Sequence, residues 1–173
     1  MHELRPTLLA LLFAAGRPLT LEDFAKLGYP KDALLRSLDS LAAELSSGDT
    51  GVSLEYVAQG WRLVVHPRHL AAVEQVLRPT PPKLSRAALE VLAIVAYHQP
   101  LTRAEIEALR GKSAEGVLDG LLERELVRVV GEKDALGKPK LYGTTERFLI
   151  TFGLQSLDDL PPMEEGPTLL LRS

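Results

Sequence analysis

A phrase that occurs twice limits the possible folds of this chain more than any other feature of its sequence. Residues 15–28 read AGRPLTLEDFAKLG, and residues 97–111 read YHQPLTRAEIEALRG. In both copies an apolar segment ends, Pro-Leu-Thr follows, and an amphipathic segment begins. The two triplets start at Pro18 and Pro100, an offset of 82 residues. The repeat predicts that one small structural unit is built twice.

Each triplet leads into a predicted helix. Thr102 is followed three residues later by Glu105, the spacing of a capping box, in which hydroxyl and carboxylate satisfy free backbone N–H groups. Thr20 and Asp23 have the same spacing, with a shorter acidic side chain in place of the glutamate. Beyond these caps, apolar residues recur at helical spacing, which predicts one core-facing side for each helix. They are Leu21, Phe24 and Leu27 in the first copy and Leu101, Ile106 and Leu109 in the second.

A third helix and a β-hairpin follow in each copy. Apolar stripes at helical spacing occupy 31–45 and 113–126. Alternating apolar residues then predict a hairpin at 52–66 with Gly60 in its turn, and a second hairpin with a longer loop through 134–139. Three helices and a hairpin make a winged helix. The predicted fold is therefore mainly α with small β-hairpins (α+β), built as two tandem winged-helix domains.

Three prolines mark the boundary between the two copies. The segment RPTPPK at 78–83 cannot continue the helix before it and favours an extended spacer. The later segment PPMEEG is typical of a tail that frays, as chain ends commonly do. We therefore predict four parts: an N-terminal winged-helix domain at 1–78, a Pro-rich linker at 79–83, a C-terminal winged-helix domain at 84–162 and a flexible tail at 163–173.

Composition narrows both the compartment and the chemistry. There is no cysteine among the 173 residues, which excludes disulfides and thiol nucleophiles and fits a reducing cytoplasm. The apolar run at 7–16 lacks the clear positive charge that precedes a secretory signal, and no run reaches the roughly 20 apolar residues that span a bilayer. The four histidines are scattered, and no Gly-rich phosphate loop follows a strand. We expect a soluble protein without cofactor, metal or catalytic site.

Charge argues against the DNA binding that winged helices commonly perform. The third helix of the second copy carries Glu115, Asp119 and Glu123 on its outward face, where a recognition helix would meet phosphates. The net charge of −3 also lacks the basic footprint of a DNA-binding domain. Acidic neighbours partly offset the positive charge of the second wing, whose basic residues are Arg128, Lys133, Lys138 and Lys140. We expect direct DNA binding to be weak or absent, with a DNA-binding transcription regulator as the alternative.

The first helix, PTLLALLFAA, is apolar around more of its circumference than one small core covers. Such a helix needs burial on more than one side. A second copy of the chain is one possible cover, since most oligomers are two-fold homodimers. The hairpin and linking helix of the same domain are the other. The residues expected at a dimer interface are Leu8, Leu9, Leu11, Leu12 and Phe13.

Three stretches of the second copy carry a family resemblance. They read LSRAALEVLAIVAYHQPLTRAEIEALRG, GVLDGLLERELVRVVG and GKPKLYGTTERFLITFGLQSLDDLPP, and together run from Leu84 to Pro162. They resemble the bacterial segregation and condensation protein B family. The resemblance implies a non-enzymatic subunit of the bacterial condensin, which works on the nucleoid with an SMC ATPase and a kleisin, segregation and condensation protein A. It also implies homodimerisation through the N-terminal domain, with the central region of the kleisin binding the C-terminal domains.

The same resemblance implies where the kleisin binds on the C-terminal domain. Arg103 and Arg110 lie seven positions apart on the second helix, hence on one face, and we expect both to be exposed to carboxylates of the partner. For the aromatic residues Tyr142, Phe148 and Phe152, core packing is the alternative, and we expect it for at least two of them. The implied kleisin-binding residues are Tyr97, Arg103, Arg110, Tyr142, Phe148 and Phe152.

Overall fold

The computed structural model describes residues 4–77 and 83–162. The chain divides into two compact units, Met1–Pro81 and Pro82–Ser173, called the first and the second unit below. The predicted linker at 79–83, except for Lys83, and the predicted tail at 163–173 lie outside the described residues. Each unit is described by itself.

The first unit alternates helices with the strands of a small antiparallel sheet. Its strands are arranged in the order β1-β3-β2, so the hairpin β2–β3 is extended by a short third strand. A 3-10 turn at Pro67–His69 connects the hairpin to the last helix. The elements are α1 Leu4–Ala15, β1 Leu19–Thr20, α2 Leu21–Ala25, α3 Lys31–Leu45, β2 Val52–Val57, β3 Gly60–Val65 and α4 Leu70–Leu77.

The second unit repeats this order of helices and strands and likewise ends its hairpin in a helix, with its 3-10 turn after that helix instead of before it. Its sheet has the strand order β4-β6-β5, again antiparallel. The elements are α5 Arg86–His98, β4 Leu101–Thr102, α6 Arg103–Arg110, α7 Glu115–Glu123, β5 Val127–Glu132, β6 Lys140–Thr144, α8 Glu146–Phe152 and a 3-10 turn at Leu157–Asp159. The predicted mainly helical α+β class is confirmed, and each unit has the element order that a winged helix requires.

The repeated phrase caps the second helix of each unit, as predicted. The hydroxyl of Thr20 accepts a hydrogen bond from the backbone N–H of Asp23 at 3.3 Å, and the Asp23 carboxylate accepts from the N–H of Thr20 at 3.1 Å. Thr102 and Glu105 repeat both bonds at 3.3 and 2.7 Å. Each pair thus satisfies two backbone donors at the start of α2 or α6.

The same triplets also provide a third strand that the sequence does not predict. Leu19 and Thr20 pair with β3, and Leu101 and Thr102 pair with β6. Each triplet therefore joins the hairpin to the second helix.

Gly60 has a different role from the predicted one. The turn between β2 and β3 consists of Ala58 and Gln59, which both have positive φ angles of 48° and 60°. Gly60 lies in β3 opposite Thr20. A Cβ at Gly60 would stand 2.9 Å from the carbonyl oxygen of Leu19. Glycine is needed here because the backbone of β1 approaches too closely for a side chain.

Each unit encloses its own hydrophobic core. In the first unit, Phe24 is fully buried among leucines of α1 and α3, which are Leu4, Leu8, Leu12, Leu34, Leu38, Leu41 and Leu45. In the second unit, Phe148 of α8 is fully buried among residues of α5, α6 and α7, including Val91, Leu92, Val95, Ile106, Leu118 and Leu121. The surfaces that surround these two cores are the parts of the molecule available to partners.

Candidate partner-binding surfaces

The outward faces of the third helices are not basic. On α7, Glu115, Asp119 and Glu123 are all exposed, as predicted. The Glu115 carboxylate lies 3.3 Å from the guanidinium of Arg103 on α6. Helix α3 exposes charges of both signs, at Lys31, Asp32, Arg36, Asp39 and Glu44. A helix that directs three carboxylates outward repels the phosphates of a DNA groove, so the outward face of α7 is poorly suited to enter one.

Some cations of the second wing, the β5–β6 hairpin with its loop at 133–139, interact within the unit. The Lys133 ammonium bonds the Glu105 carboxylate at the start of α6. Lys140 stands opposite Glu132 in the strand register. At the tip, the side chain of Leu136 is fully exposed. The wing therefore presents less free positive charge than its sequence suggests.

The bond from Lys133 also sets the charge of Glu105. The ammonium of Lys133, and then the backbone N–H and hydroxyl of Thr102, stabilise the carboxylate and lower the pKa of Glu105 from 4.5 to about 2. Glu105 therefore stays ionised into the acid range where an ordinary glutamate takes up a proton, and its bond to Lys133 connects the wing to α6.

Phe148 follows the core-packing alternative and not the implied kleisin contact, because its side chain is fully buried in the core of the second unit. The ring of Phe152 packs against it at a centroid distance of 5.0 Å. Phe152 and Tyr142 are half-buried against the same core. The hydroxyl of Tyr97 donates a hydrogen bond to the carbonyl of Pro161 at 2.7 Å, so Tyr97 fixes the segment after α8 to α5. Tyr97, Tyr142 and Phe152 keep only part of their surface for a partner.

The two arginines of α6 differ in exposure, contrary to the prediction. Arg103 is exposed, whereas the side chain of Arg110 is only 10% exposed. The guanidinium of Arg110 donates to the carbonyl of Ser113, and its Nε lies 3.5 Å from the Glu90 carboxylate on α5. Arg110 is engaged within the unit because α5 places an acidic residue beside the end of α6. Arg103 also pairs with Glu115, but of the two arginines it alone has the exposure to face a partner's carboxylate.

A groove beside α6 was not identified from the sequence. It encloses about 390 Å³ and is called the α6 groove here; its walls are His98, Pro100, Leu101, Glu105, Ala108 and Leu109. Leu109, predicted to face the core, is 56% exposed at the rim of this groove, because Ile106 already occupies the core position of α6. Residues of an α-helix are about 100° apart around the axis, so Arg103 lies on the opposite flank of α6 from Glu105 and Leu109.

The apolar residues of α1 fall on three different sides of the helix. Leu8 and Leu12 are buried in the core of the first unit, so the prediction that they form a dimer interface is wrong. Leu9 is half-buried and Phe13 is 83% exposed on one flank of this buried stripe. Leu11 is exposed on the other flank, about 160° around the helix from Phe13. One partner surface therefore contacts either Leu11 or the pair Leu9 and Phe13.

A cavity of about 290 Å³ lies on the flank of Leu9, between α1 and α3. The guanidinium of Arg5 and the carboxylate of Glu44 form an ion pair at this place. We call it the α1 cavity; its lining residues are Arg5, Pro6, Leu9, Leu41 and Glu44. The exposed ring of Phe13 follows one turn after Leu9 on the same helix.

The described residues offer no group of three or more His, Cys, Asp or Glu side chains that could hold a metal ion. Within the same residues, no helix has both the length and the apolar character needed to cross a membrane.

Comparison with known proteins identifies the family. The family model described as "Segregation and condensation complex subunit ScpB" matches residues 7–163. "Segregation and condensation protein B" of Moorella thermoacetica is 46% identical over 168 residues, which cover 94% of this chain and 84% of the relative. The protein of the same name from Syntrophotalea carbinolica is 45% identical over 172 residues, with coverages of 99% and 87%. The crystal structure of ScpB from Mycobacterium tuberculosis is 39% identical, covers 88% of this chain and 96% of that one, and superposes with a TM-score of 0.42. The chain belongs to the segregation and condensation protein B family.

Proposed function

We propose that this chain is a non-enzymatic subunit of the bacterial condensation complex, acting on the nucleoid in the cytoplasm. In this proposal it forms a homodimer through its first unit. Its second unit binds the kleisin, segregation and condensation protein A, and reaches the SMC ATPase through the kleisin. Membership of the family supports a role in the complex, and the surfaces of the two units support the choice of protein partners.

The observation that carries this proposal is the acidic outward face of α7. In a DNA-binding winged helix, the corresponding helix enters the major groove and lies close to phosphates. Here Glu115, Asp119 and Glu123 occupy that face and are exposed. Bringing three carboxylates to a polyanion costs electrostatic free energy, whereas a polypeptide partner imposes no such penalty. The charge of α7 therefore favours protein binding over DNA binding as the role of the second unit.

We further propose that the α6 groove receives an apolar side chain from a helical segment of the kleisin. Its lining includes Pro100, the buried Leu101 and the exposed Leu109. The carboxylate of Glu105, which pairs with Lys133, lies beside them. This arrangement is typical of grooves that bind one face of an amphipathic helix. Of the residues that the resemblance implies, Arg103 has the exposed charge to meet a carboxylate, while Tyr97, Tyr142 and Phe152 contribute partial surfaces.

Binding to the middle segment of the kleisin tests this proposal. The purified chain and the segment are mixed, the complex is weighed by light scattering, and the affinity is measured by calorimetry. We expect Leu109→Asp to weaken binding at least tenfold, because it places a charge in an apolar contact. Leu136→Asp, which alters another exposed leucine at the wing tip, is the matched control and should bind normally. Equal affinities for the two variants would show that the kleisin does not bind in the α6 groove.

The contribution of Arg103 is tested in the same assay by reversing its charge. Arg103→Glu should weaken binding to the kleisin segment, because a guanidinium no longer faces the partner. The affinity of the variant should also depend less on salt concentration. Arg147→Glu is the control, since Arg147 is also exposed and also pairs with a glutamate, Glu125. Stable binding of the wild-type chain to duplex DNA, with steep loss of affinity in salt and no kleisin complex, would contradict the proposed function as a whole.

A further inference from the structure

We infer that two copies of this chain pair through α1 in antiparallel orientation, with Phe13 of each copy seated in the α1 cavity of the other. This inference rests on the proposed homodimer and specifies its interface. This pairing buries one flank of α1, with its cavity and its exposed aromatic ring, and leaves the opposite flank with Leu11 in solvent.

The spacing of residues along this flank is self-complementary. Arg5, Leu9 and Phe13 follow one another at intervals of four, so they form a nearly straight stripe on the helix surface. If a two-fold axis crosses α1 at Leu9, the stripe of one copy lies against the stripe of the other in the opposite direction. Phe13 then stands opposite Arg5 of the second copy, and Leu9 stands opposite Leu9. An isologous interface requires this kind of match, because the same patch must serve both copies.

The two ends of the stripe also match in shape. Phe13 is 83% exposed and is the most exposed aromatic side chain on the first unit. The α1 cavity, at about 290 Å³, is larger than the 150 Å³ or so that is known to accommodate benzene. Along α1, Phe13 lies about 12 Å from Arg5 at a rise of 1.5 Å per residue. In an antiparallel pair, the Phe13 ring of each copy therefore reaches a cavity of sufficient size on the other copy.

Electrostatics favour the same pairing. The side chain of Arg5 is about one-third exposed at the cavity, and its guanidinium pairs with the Glu44 carboxylate. A guanidinium attracts the face of an aromatic ring, and the attraction strengthens when both groups leave water. Phe13 of the second copy meets such a cation at the mouth of the cavity, where the ion pair already restricts the conformations of Arg5.

Comparison of the two units shows that this flank lacks a cover in the first unit. In α5, the stripe of Val91 and Val95 is buried, and so is the next stripe of Leu92 and Ala96. In the second unit, Phe148 of α8 belongs to the same buried cluster as these residues, and Tyr97 holds the segment at Pro161 to α5. In α1, the stripe of Leu8 and Leu12 is likewise buried, but the next stripe ends in the exposed Phe13. Helix α4, the last element of the first unit, has no buried residue among those described.

The test measures the self-association of the full chain by sedimentation or light scattering over a range of concentrations. Phe13→Ala should raise the dimer dissociation constant about 100-fold, because the symmetric interface loses two rings, each contributing at least about tenfold. Phe13 is exposed, so the variant should fold normally. Leu11→Ala on the opposite flank is the matched control and should leave the constant unchanged.

Cross-linking locates the axis directly, since the chain contains no other cysteine. Leu9→Cys should form an intermolecular disulfide on mild oxidation, whereas Leu11→Cys should not, because only residue 9 faces its symmetry mate within disulfide range. A wild-type dimer that tolerates Phe13→Ala, or cross-links through residue 11 instead of 9, overturns this interface but leaves the proposed homodimer standing. A wild-type chain that stays monomeric overturns both the homodimer and this interface, while kleisin binding by the second unit is measured separately.

Discussion

The two capping threonines permit a test of the repeat itself, because the same substitution can be made in both units. We expect Thr102→Ala to destabilise the second unit more than Thr20→Ala destabilises the first. Both variants remove the hydroxyl that accepts a hydrogen bond from the third residue of the following helix. The difference should come from burial, since Thr102 is 4% exposed and Thr20 is only half-buried.

The expected magnitudes follow from two contributions. Loss of an N-cap hydroxyl costs typically about 1 kcal/mol of unfolding free energy, and this contribution applies to both threonines. Thr102→Ala also removes a buried methyl group, which contributes roughly 0.8 kcal/mol. We therefore expect about 2 kcal/mol for Thr102→Ala and about 1 kcal/mol for Thr20→Ala. Thr102→Ser retains the hydroxyl, loses the methyl and should cost about 1 kcal/mol.

Urea denaturation of the full chain can distinguish the two units. Trp61 is the only tryptophan and lies in β3 of the first unit, where its ring packs near Phe24 and Tyr56. Trp61 fluorescence therefore reports unfolding of the first unit, while far-UV circular dichroism reports both. Two-state analysis is applied to each transition separately. We expect Thr20→Ala to shift the fluorescence midpoint and Thr102→Ala to shift the remaining dichroism transition.

Two results would refute this reasoning. If Thr102→Ser destabilised the second unit as much as Thr102→Ala, the hydroxyl would contribute nothing and the capping box would not stabilise α6. If Thr20→Ala cost as much as Thr102→Ala, the assigned contribution of the buried methyl group would be wrong.

Two further predictions concern a glycine and a carboxylate. Gly60→Ala should cost about 1–3 kcal/mol, seen as a lower midpoint of Trp61 fluorescence, because the new Cβ would stand 2.9 Å from a backbone oxygen; Gly120→Ala in α7, with open space around it, is the control and should be neutral or stabilising. The depressed pKa of Glu105 should add stability above pH 4.5 that is lost as the pH falls towards about 2. Glu105→Gln should remove that acid-dependent loss in dichroism melts, and identical pH profiles would contradict the bond to Lys133.

Local signals in the sequence were sufficient to predict the capped helices. A capping box involves residues three positions apart, so Thr20 with Asp23 and Thr102 with Glu105 can be recognised without knowledge of the fold. The outward carboxylates of α7 could also be predicted, because Leu118 and Leu121 determine which side of that helix is buried. These features depend on neighbours within one helical turn.

Features that depend on distant neighbours could not be predicted. The strand formed by Leu19 and Thr20 is too short for an alternating pattern, and it exists only because β3 pairs with it. The preference of glycine for hairpin turns predicts Gly60 in the turn, but Gly60 lies in β3, where the backbone of β1 leaves no room for a side chain. The spacing of Arg103 and Arg110 correctly placed them on one face, but Glu90, on another helix, determines that Arg110 is not free.

Two copies of a duplicated helix can acquire different partners when the rest of the chain covers their flanks differently. An α-helix in a small domain buries one stripe against its own core, and the flanks on either side are covered only if the chain provides another element. In the second unit, α8 and the segment bound to Tyr97 help to provide this cover, and Leu92 and Ala96 are buried. In the first unit the equivalent flank ends in the exposed Phe13. Helix α4, which follows the hairpin of the first unit, has no buried residue in the described part of the chain, whereas α8 of the second unit buries Phe148. This difference in cover leaves an apolar surface on one copy of the repeat. Self-association through that surface would give each assembly two second units, each with its own α6 groove. Two linked grooves would bind a single flexible kleisin more tightly than either groove alone, because the second contact forms at a high effective concentration.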